Sequence, residues 1–137
     1  MNIRVGFGYD VHQLGEGHPF IVGGVELEHY VGAFGHSDAD VLTHAICDAV
    51  LGAANLEDIG YHFPNTDDRW KGVDSLLLLE ECVKLLDQKG WCIGNIDAVV
   101  SLEVPKIKPY IPQMKSKIAQ AASISEEDIS KIGRAHV

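Results

Sequence analysis

Asp10 and His12 stand two residues apart at the end of an alternating apolar stretch, so in a strand both side chains leave one face and can reach a single ion. Two polar residues closing a strand more often form a solvated turn, and the pair alone carries little weight. His44 adds to it, because it sits in a helical pattern where an aliphatic residue is expected. Asp40 and Asp48 lie four residues to either side of it on the same helix face, and either can orient its second ring nitrogen. Taken by itself, His44 reads equally as a half-buried core histidine paired with an aspartate. One carboxylate and two imidazoles make three protein ligands, the number a catalytic zinc uses when its fourth position stays open for a substrate oxygen.

His36 and Ser37 precede the same helical pattern, and Ser37 followed three residues later by Asp40 reads as a helix N-cap. Exposed N–H groups and the helix dipole favour an anion there, so a phosphate can bridge a metal and this helix end. The plainer reading leaves Ser37 as a cap only. Asp58–Gly60 and Phe63–Asp67 supply hydroxyl, amide and carboxylate groups of the kind that surround a small polyol, although an Asx-turn loop has the same composition.

These residues need a scaffold, and 137 residues with 46% hydrophobic and 23% charged side chains suit one globular domain with a core of its own. No run approaches 18 apolar residues and no basic-then-apolar leader precedes the strand-like Ile3–Tyr9, so neither a membrane span nor secretion is expected; a cytoplasmic setting is. Cys47, Cys82 and Cys92 are odd in number, have no CxxC pairing and sit in apolar segments, as reduced core thiols do. With 20 acidic against 11 basic residues and no basic stripe, nucleic acid is excluded as a partner. A chain of net charge −9 that handles a phosphorylated substrate must take positive potential from metal ions or helix ends.

The alternation of Ile3, Val5, Phe7 and Tyr9 with Arg4, Gly6 and Gly8 predicts a first strand, and Phe20–Val22, Gly23-Gly24 and Val25–Glu28 predict a hairpin. Val41, Leu42, Ala45, Ile46, Ala49, Val50 and Ala53 recur at helical spacing to about Ala54. Ser75 is expected to cap a second helix, which stops near Gly90 and exposes Glu80, Glu81, Lys84 and Asp87. Trp91–Leu102 reads as a strand, Pro105–Pro112 as a loop and Pro112–Ala122 as a third helix. Ser125–Asp128 nucleates a helical turn and Ile129 begins a strand-like stretch. Lys131–Val137 has the sequence expected from in-frame translation of a common sequencing adapter, so residues 1–130 are taken as the domain and 131–137 as a non-native tail. Removing Lys131 and Arg134 leaves 9 basic residues and a balance of −11, and His136 is not counted as a ligand.

Gly8–His12, Ile21–Val25, Gly35–Ala45, Asp48–Ala54, Asp58–Gly60, Phe63–Asp67 and Pro112–Met114 together resemble the 2-C-methyl-D-erythritol 2,4-cyclodiphosphate synthases of the non-mevalonate isoprenoid pathway. The resemblance runs from Met1 to about Ile129. It implies an α+β fold, a two-layer sandwich of a mixed β-sheet on helices, with the last strand missing from this chain. It implies a homotrimer whose sites are shared between neighbouring subunits. The implied reaction converts 4-diphosphocytidyl-2-C-methyl-D-erythritol 2-phosphate to the 2,4-cyclodiphosphate with release of CMP.

By the same resemblance Asp10, His12 and His44 carry zinc, Asp10 and His12 also lie against substrate, and His36 and Ser37 contact phosphate, with His36 assisting catalysis. Asp58, Ile59 and Gly60, with Phe63, Pro64, Asn65, Thr66 and Asp67, form the sugar pocket. Leu102, Glu103, Val104, Pro105, Lys106, Ile107 and Lys108 align with the cytidine-binding segment, where backbone groups can read the base. Asn65 departs from the usual aspartate, and the nucleotide segment fits loosely around Pro105-Lys106. A Thr-Thr-Thr-Glu segment, whose glutamate binds a second divalent ion (magnesium or manganese), is expected after Ile129 and is absent, which is expected to impair turnover by these 137 residues. Rival readings of the same residues are a metal-dependent phosphohydrolase that activates water and a non-catalytic zinc- or nucleotide-binding module.

Overall fold

The computed structural model describes residues 2–135; Met1 and the last two residues of the expected tail, His136 and Val137, lie outside the described residues. Small strands pack on helices in an α+β arrangement. The order is β1 (Leu14–Glu16), β2 (Phe20–Val22), β3 (Val25–Leu27), β4 (Val31–Ala33), α1 (Val41–Ala53), α2 (Ile59–His62), α3 (Ser75–Gln88), β5 (Val99–Ser101), α4 (Ile111–Ala122) and β6 (Gly133–Ala135). In place of one continuous mixed sheet, the described residues form three two-stranded ladders: β1 with β4 and β2 with β3 antiparallel, β5 with β6 parallel.

The predicted hairpin is present, with Phe20, Val22, Val25 and Leu27 buried and Glu26 outward. Gly23 and Gly24 both adopt positive φ, as a two-residue hairpin turn with the right twist requires. Helix α1 packs on α3 and α3 on α4, burying Cys47, Leu51, Leu79, Cys82, Met114 and Ile118 between them. Cys92 differs from expectation and is exposed, because the turn after α3 carries it out of the helical layer. Its segment enters the sheet only at Ile96, bridged to Ile129, and at β5, so the predicted strand over Trp91–Leu102 is paired over a fraction of its length.

Two helix starts are moved by tertiary contacts. Asp40, not Ser37, caps α1: its carboxylate accepts from the Thr43 N–H and Thr43 hydroxyl, and also from the Gly23 and Gly24 N–H groups of the hairpin turn. Asp74, not Ser75, caps α3 by accepting from Leu76. Serine and aspartate cap about equally well, so the hairpin's need for an acceptor decides the first case.

The segment read as the first strand is extended but has no ladder partner among the described residues. Gly6 and Gly8 lie flat on α1, where a Cβ would come within 1.8 Å of the Ala49 and Ala45 carbonyl oxygens respectively. Only glycine permits that approach. The alternate residues Ile3, Val5, Phe7 and Tyr9 therefore face outward, and Val5 is 92% exposed. Within the segment read as foreign, Ile132 is buried and Gly133–Ala135 pair with β5 through backbone groups. No described helix is long and apolar enough to cross a membrane.

Candidate metal and phosphate site

The glycine contact with α1 sets the geometry of the site. Once Gly6 and Gly8 fix the segment against Ala49 and Ala45, the next residues on the same face, Asp10 and His12, arrive beside His44, the residue before Ala45. Asp10 Oδ2 lies 2.7 Å from His12 Nε2 and 3.2 Å from His44 Nδ1, and the two ring nitrogens are 3.2 Å apart. All three donor atoms fall within 4.8 Å of one another. Zinc bonds of about 2.0–2.1 Å place neighbouring ligand atoms about 3.3 Å apart in a tetrahedron, so this donor set fits a divalent ion with little movement.

The far ring nitrogens point to acceptors. His12 Nδ1 is 2.9 Å from the Phe34 carbonyl, which can only accept, so the proton sits there and Nε2 is left for the cluster. His44 Nε2 lies 2.7 Å from Ser75 Oγ and 3.0 Å from Ser37 Oγ. Neither aspartate proposed to orient His44 does so: Asp40 is consumed by the α1 cap and the hairpin, and Asp48 accepts the Ile59 N–H at 2.9 Å. Sequence reasoning missed Ser75, since a serine at a helix start reads as a cap. It also missed Asp38, whose carboxylate holds Ser75.

Electrostatics follow the geometry. Burial pushes the Asp10 carboxyl up, yet hydrogen bonds and charge from His12 and His44 outweigh it and hold the group well below the usual carboxylate range. The hydrogen bond to Asp10 raises the His12 imidazole above its ordinary value against the opposing effect of burial. Asp40 is pushed up by near-complete burial, as is Asp48 by partial burial.

The remaining predicted residues divide. Ser37 reaches the cluster through His44, whereas His36 Nε2 sits 3.2 Å from the Asp67 carbonyl. Neither lies in the first turn of α1, which begins at Val41 with Asp40 over its N–H groups, so the expected anion site on that helix end is already filled by a carboxylate. Asp58 caps α2 by accepting from Tyr61 at 2.9 Å, with Ile59 and Gly60 in the same short helix. Asn65 and Thr66 are exposed, Pro64 is half-buried, and Phe63 points into the core. The Asp67 carboxylate is engaged by Arg69 at 2.6 Å. Leu102 and Ile107 are buried, so their side chains serve packing, while Glu103, Val104, Lys106 and Lys108 are exposed beside half-buried Pro105. Glu103 and Val104 line a cavity of about 300 Å³ with Leu14, His29 and Tyr30, which none of the three clustered ligands lines.

A model of the YgbB family matches residues 3–132. A Cytophaga hutchinsonii protein named 2-C-methyl-D-erythritol 2,4-cyclodiphosphate synthase is 62% identical over 130 residues, covering 95% of this chain and 82% of its own length. A Synechococcus protein of the same name is 54% identical over 127 residues, covering 93% and 81%. A solved 2C-methyl-D-erythritol-2,4-cyclodiphosphate synthase in a CDP-bound form superimposes with a TM-score of 0.87 at 34% identity, over 97% of this chain and 87% of that one. The matched model, the identity of the relatives and the shared fold together show that this chain belongs to the YgbB family, among the 2-C-methyl-D-erythritol 2,4-cyclodiphosphate synthases.

Proposed function

We propose that the chain catalyses an intramolecular phosphoryl transfer in isoprenoid precursor synthesis. The 2-phosphate of 4-diphosphocytidyl-2-C-methyl-D-erythritol 2-phosphate attacks the β-phosphorus of the same molecule's diphosphate, the bond from that phosphorus to the bridging oxygen breaks, and CMP departs with the electron pair. The observation that carries this reading is the Asp10–His12–His44 cluster with Ser37 hydrogen-bonded to its deepest ligand. Both nucleophile and leaving group belong to the substrate, so the protein's work is to fold a flexible anion and offset its charge.

With 20 acidic residues against 11 basic ones, the chain has little positive side-chain charge for that task. Asp10, His12 and His44 would hold a divalent ion, which we assign as zinc from the mixed carboxylate and imidazole donors, and such an ion would supply the positive charge that the phosphates need. His36 keeps Nδ1 for phosphate while Nε2 is tied to Asp67, and the Ser37 hydroxyl turns to a phosphate oxygen. Asp58 Oδ2 remains for an erythritol hydroxyl once Oδ1 has accepted the Tyr61 N–H, and backbone groups of Ile59–Gly60 and the Phe63–Asp67 loop close the sugar pocket. Backbone groups of Leu102–Lys108 read the cytosine. Because Glu103 and Val104 line a cavity without the metal ligands, we assign the nucleotide contacts to a site completed by a neighbouring copy in a homotrimer. No described residue is assigned to a second ion, magnesium or manganese. The bacterial relatives support a bacterial cytoplasmic enzyme.

Phosphorus NMR of the metal-loaded protein with this substrate tests the reading. The expected products are the cyclic diphosphate and CMP in equal amounts. Inorganic phosphate would indicate hydrolysis by a metal-activated water, and retained metal and CMP with no turnover would indicate a binding module.

A further inference from the structure

We propose that Ser75, locked by Asp38, is the positioning residue that fixes the tautomer of His44 and so aims its Nδ1 lone pair at the metal; this rests on the reading of Asp10, His12 and His44 as metal ligands. His44 is 6% exposed, and its two ring nitrogens meet different groups. Nδ1 faces Asp10 and His12 at 3.2 Å each. Nε2 faces Ser75 Oγ at 2.7 Å and Ser37 Oγ at 3.0 Å.

A neutral imidazole carries one proton, and a hydroxyl by itself serves either tautomer because it both donates and accepts. Asp38 removes that freedom. Its carboxylate accepts the Ser75 hydroxyl proton through Oδ1 and the Ser75 backbone N–H through Oδ2 at 3.0 Å, while Oδ1 also accepts from the Asp40 N–H at 3.1 Å. A carboxylate only accepts, so the one proton on Ser75 Oγ is committed to Asp38 and the oxygen offers His44 a lone pair. The imidazole proton is then held on Nε2, and Nδ1 is bare toward the cluster.

Ser37 lacks this arrangement. Its oxygen accepts a long 3.4 Å contact from the Ala39 N–H, no carboxylate among the described residues fixes its proton, and it is half-buried, which leaves it free to turn toward phosphate. Ser75 is fully buried. Nor is Ser75 explained as a helix cap, because Asp74 performs that role and the Ser75 hydroxyl points to a different helix. The relay thus joins the 34–40 loop, α1 and the first turn of α3 at one ring.

The test compares Ser75→Ala, Ser75→Thr and Asp38→Asn in the full chain, using zinc alone as the probe in competition with a chromophoric chelator, and ¹⁵N NMR of the imidazole in the zinc-free protein. Ser75→Ala keeps the backbone N–H to Asp38 and removes the acceptor. Asp38→Asn can donate to Ser75 Oγ, which releases the serine proton toward Nε2. Zinc affinity is expected to fall about 10–100-fold in both, and Ser75→Thr to restore it. The Nε2–H signature of the parent protein is expected to shift toward Nδ1–H in Asp38→Asn, a change that a packing role for Ser75 would not produce. Unaltered zinc affinity in both variants, or a parent His44 protonated on Nδ1, would overturn the proposal. If the parent binds no zinc, the metal reading fails separately, and the tautomer shift still reports on the relay. Should Ser75→Ala not fold, Asp38→Asn, at a half-buried position, decides alone.

Discussion

At His12 and Asp10 the same contact that holds the metal-free site together opposes metal binding. The His12 imidazole is raised by Asp10, so its protonated form is favoured, and its contribution to folding is fully present below its ordinary value near 6.5 and lost as pH rises through the folded one. Asp10 is lowered, so its contribution is present above 3.8 and lost only as pH falls through the lower folded value. The metal-free protein therefore gains most from this pair between about pH 4 and 6.5. Zinc requires His12 neutral, so its added stability should grow as pH rises across the same region. Thermal melts with and without chelator at pH 5.5 and 8 should diverge, the zinc increment being larger at pH 8; an equal increment at both would contradict the assignment of His12. Asp48→Asn separates the two histories of this site: with its carboxylate on the Ile59 N–H, it should leave zinc affinity within about twofold and loosen the 58–62 turn instead, seen as faster amide exchange there. The Asp10–His12–His44 cluster was legible in the sequence because an Asp-x-His closing an alternating apolar stretch and a histidine in an aliphatic helical row break the local pattern. Ser75 and Asp38 were not legible, because serine and aspartate at helix starts satisfy that pattern and only the fold turns them toward His44.

The element that matters most for the site is the extended Asn2–His12 segment, whose glycines make it a sliding fit against α1. Gly8→Ala would place a Cβ 1.8 Å from the Ala45 carbonyl oxygen, with no flexible side chain to give way. The segment must then lift from the helix and take Asp10 and His12 with it. Zinc affinity is expected to fall at least about 10-fold with helix content unchanged by circular dichroism, at a stability cost of about 1–3 kcal/mol. Normal zinc binding by this variant would mean that the segment is positioned by something other than the glycine contact. The alternation of Ile3, Val5, Phe7 and Tyr9 predicts a strand, but the segment has no ladder partner among the described residues, and its glycine face is the one that packs. Period-two patterning gives the parity of a strand without saying which side is covered. The displaced caps at Asp40 and Asp74 have a similar cause: two good capping residues stand close together, and long-range partners choose between them.

Across the whole molecule, Ile3, Phe7 and Tyr9 and the Trp91–Leu102 segment line a groove of about 1000 Å³ floored by Leu42, Ile46, Ala49 and Val50 of α1. Arg4 bridges part of it, stacking 4.9 Å over the Trp91 ring and donating to the Ala53 carbonyl. Backbone without a ladder partner among the described residues, beside exposed Val5 and Phe7, is a template for association. Val5→Lys with Phe7→Lys should therefore reduce the apparent mass and dye binding of the chain in light scattering and 8-anilinonaphthalene-sulfonate fluorescence, and unchanged values would show that this face is not the sticky one. The site itself is a whole-molecule property, since residues 10 and 12 meet residue 44 only in the folded chain. The most direct measurement is therefore zinc stoichiometry by equilibrium dialysis and atomic emission on the folded protein and on His44→Ala. One zinc per chain in the parent and none in a folded His44→Ala is the predicted result; equal zinc in the two proteins, or none in the parent, would contradict the metal site on which the proposed chemistry stands.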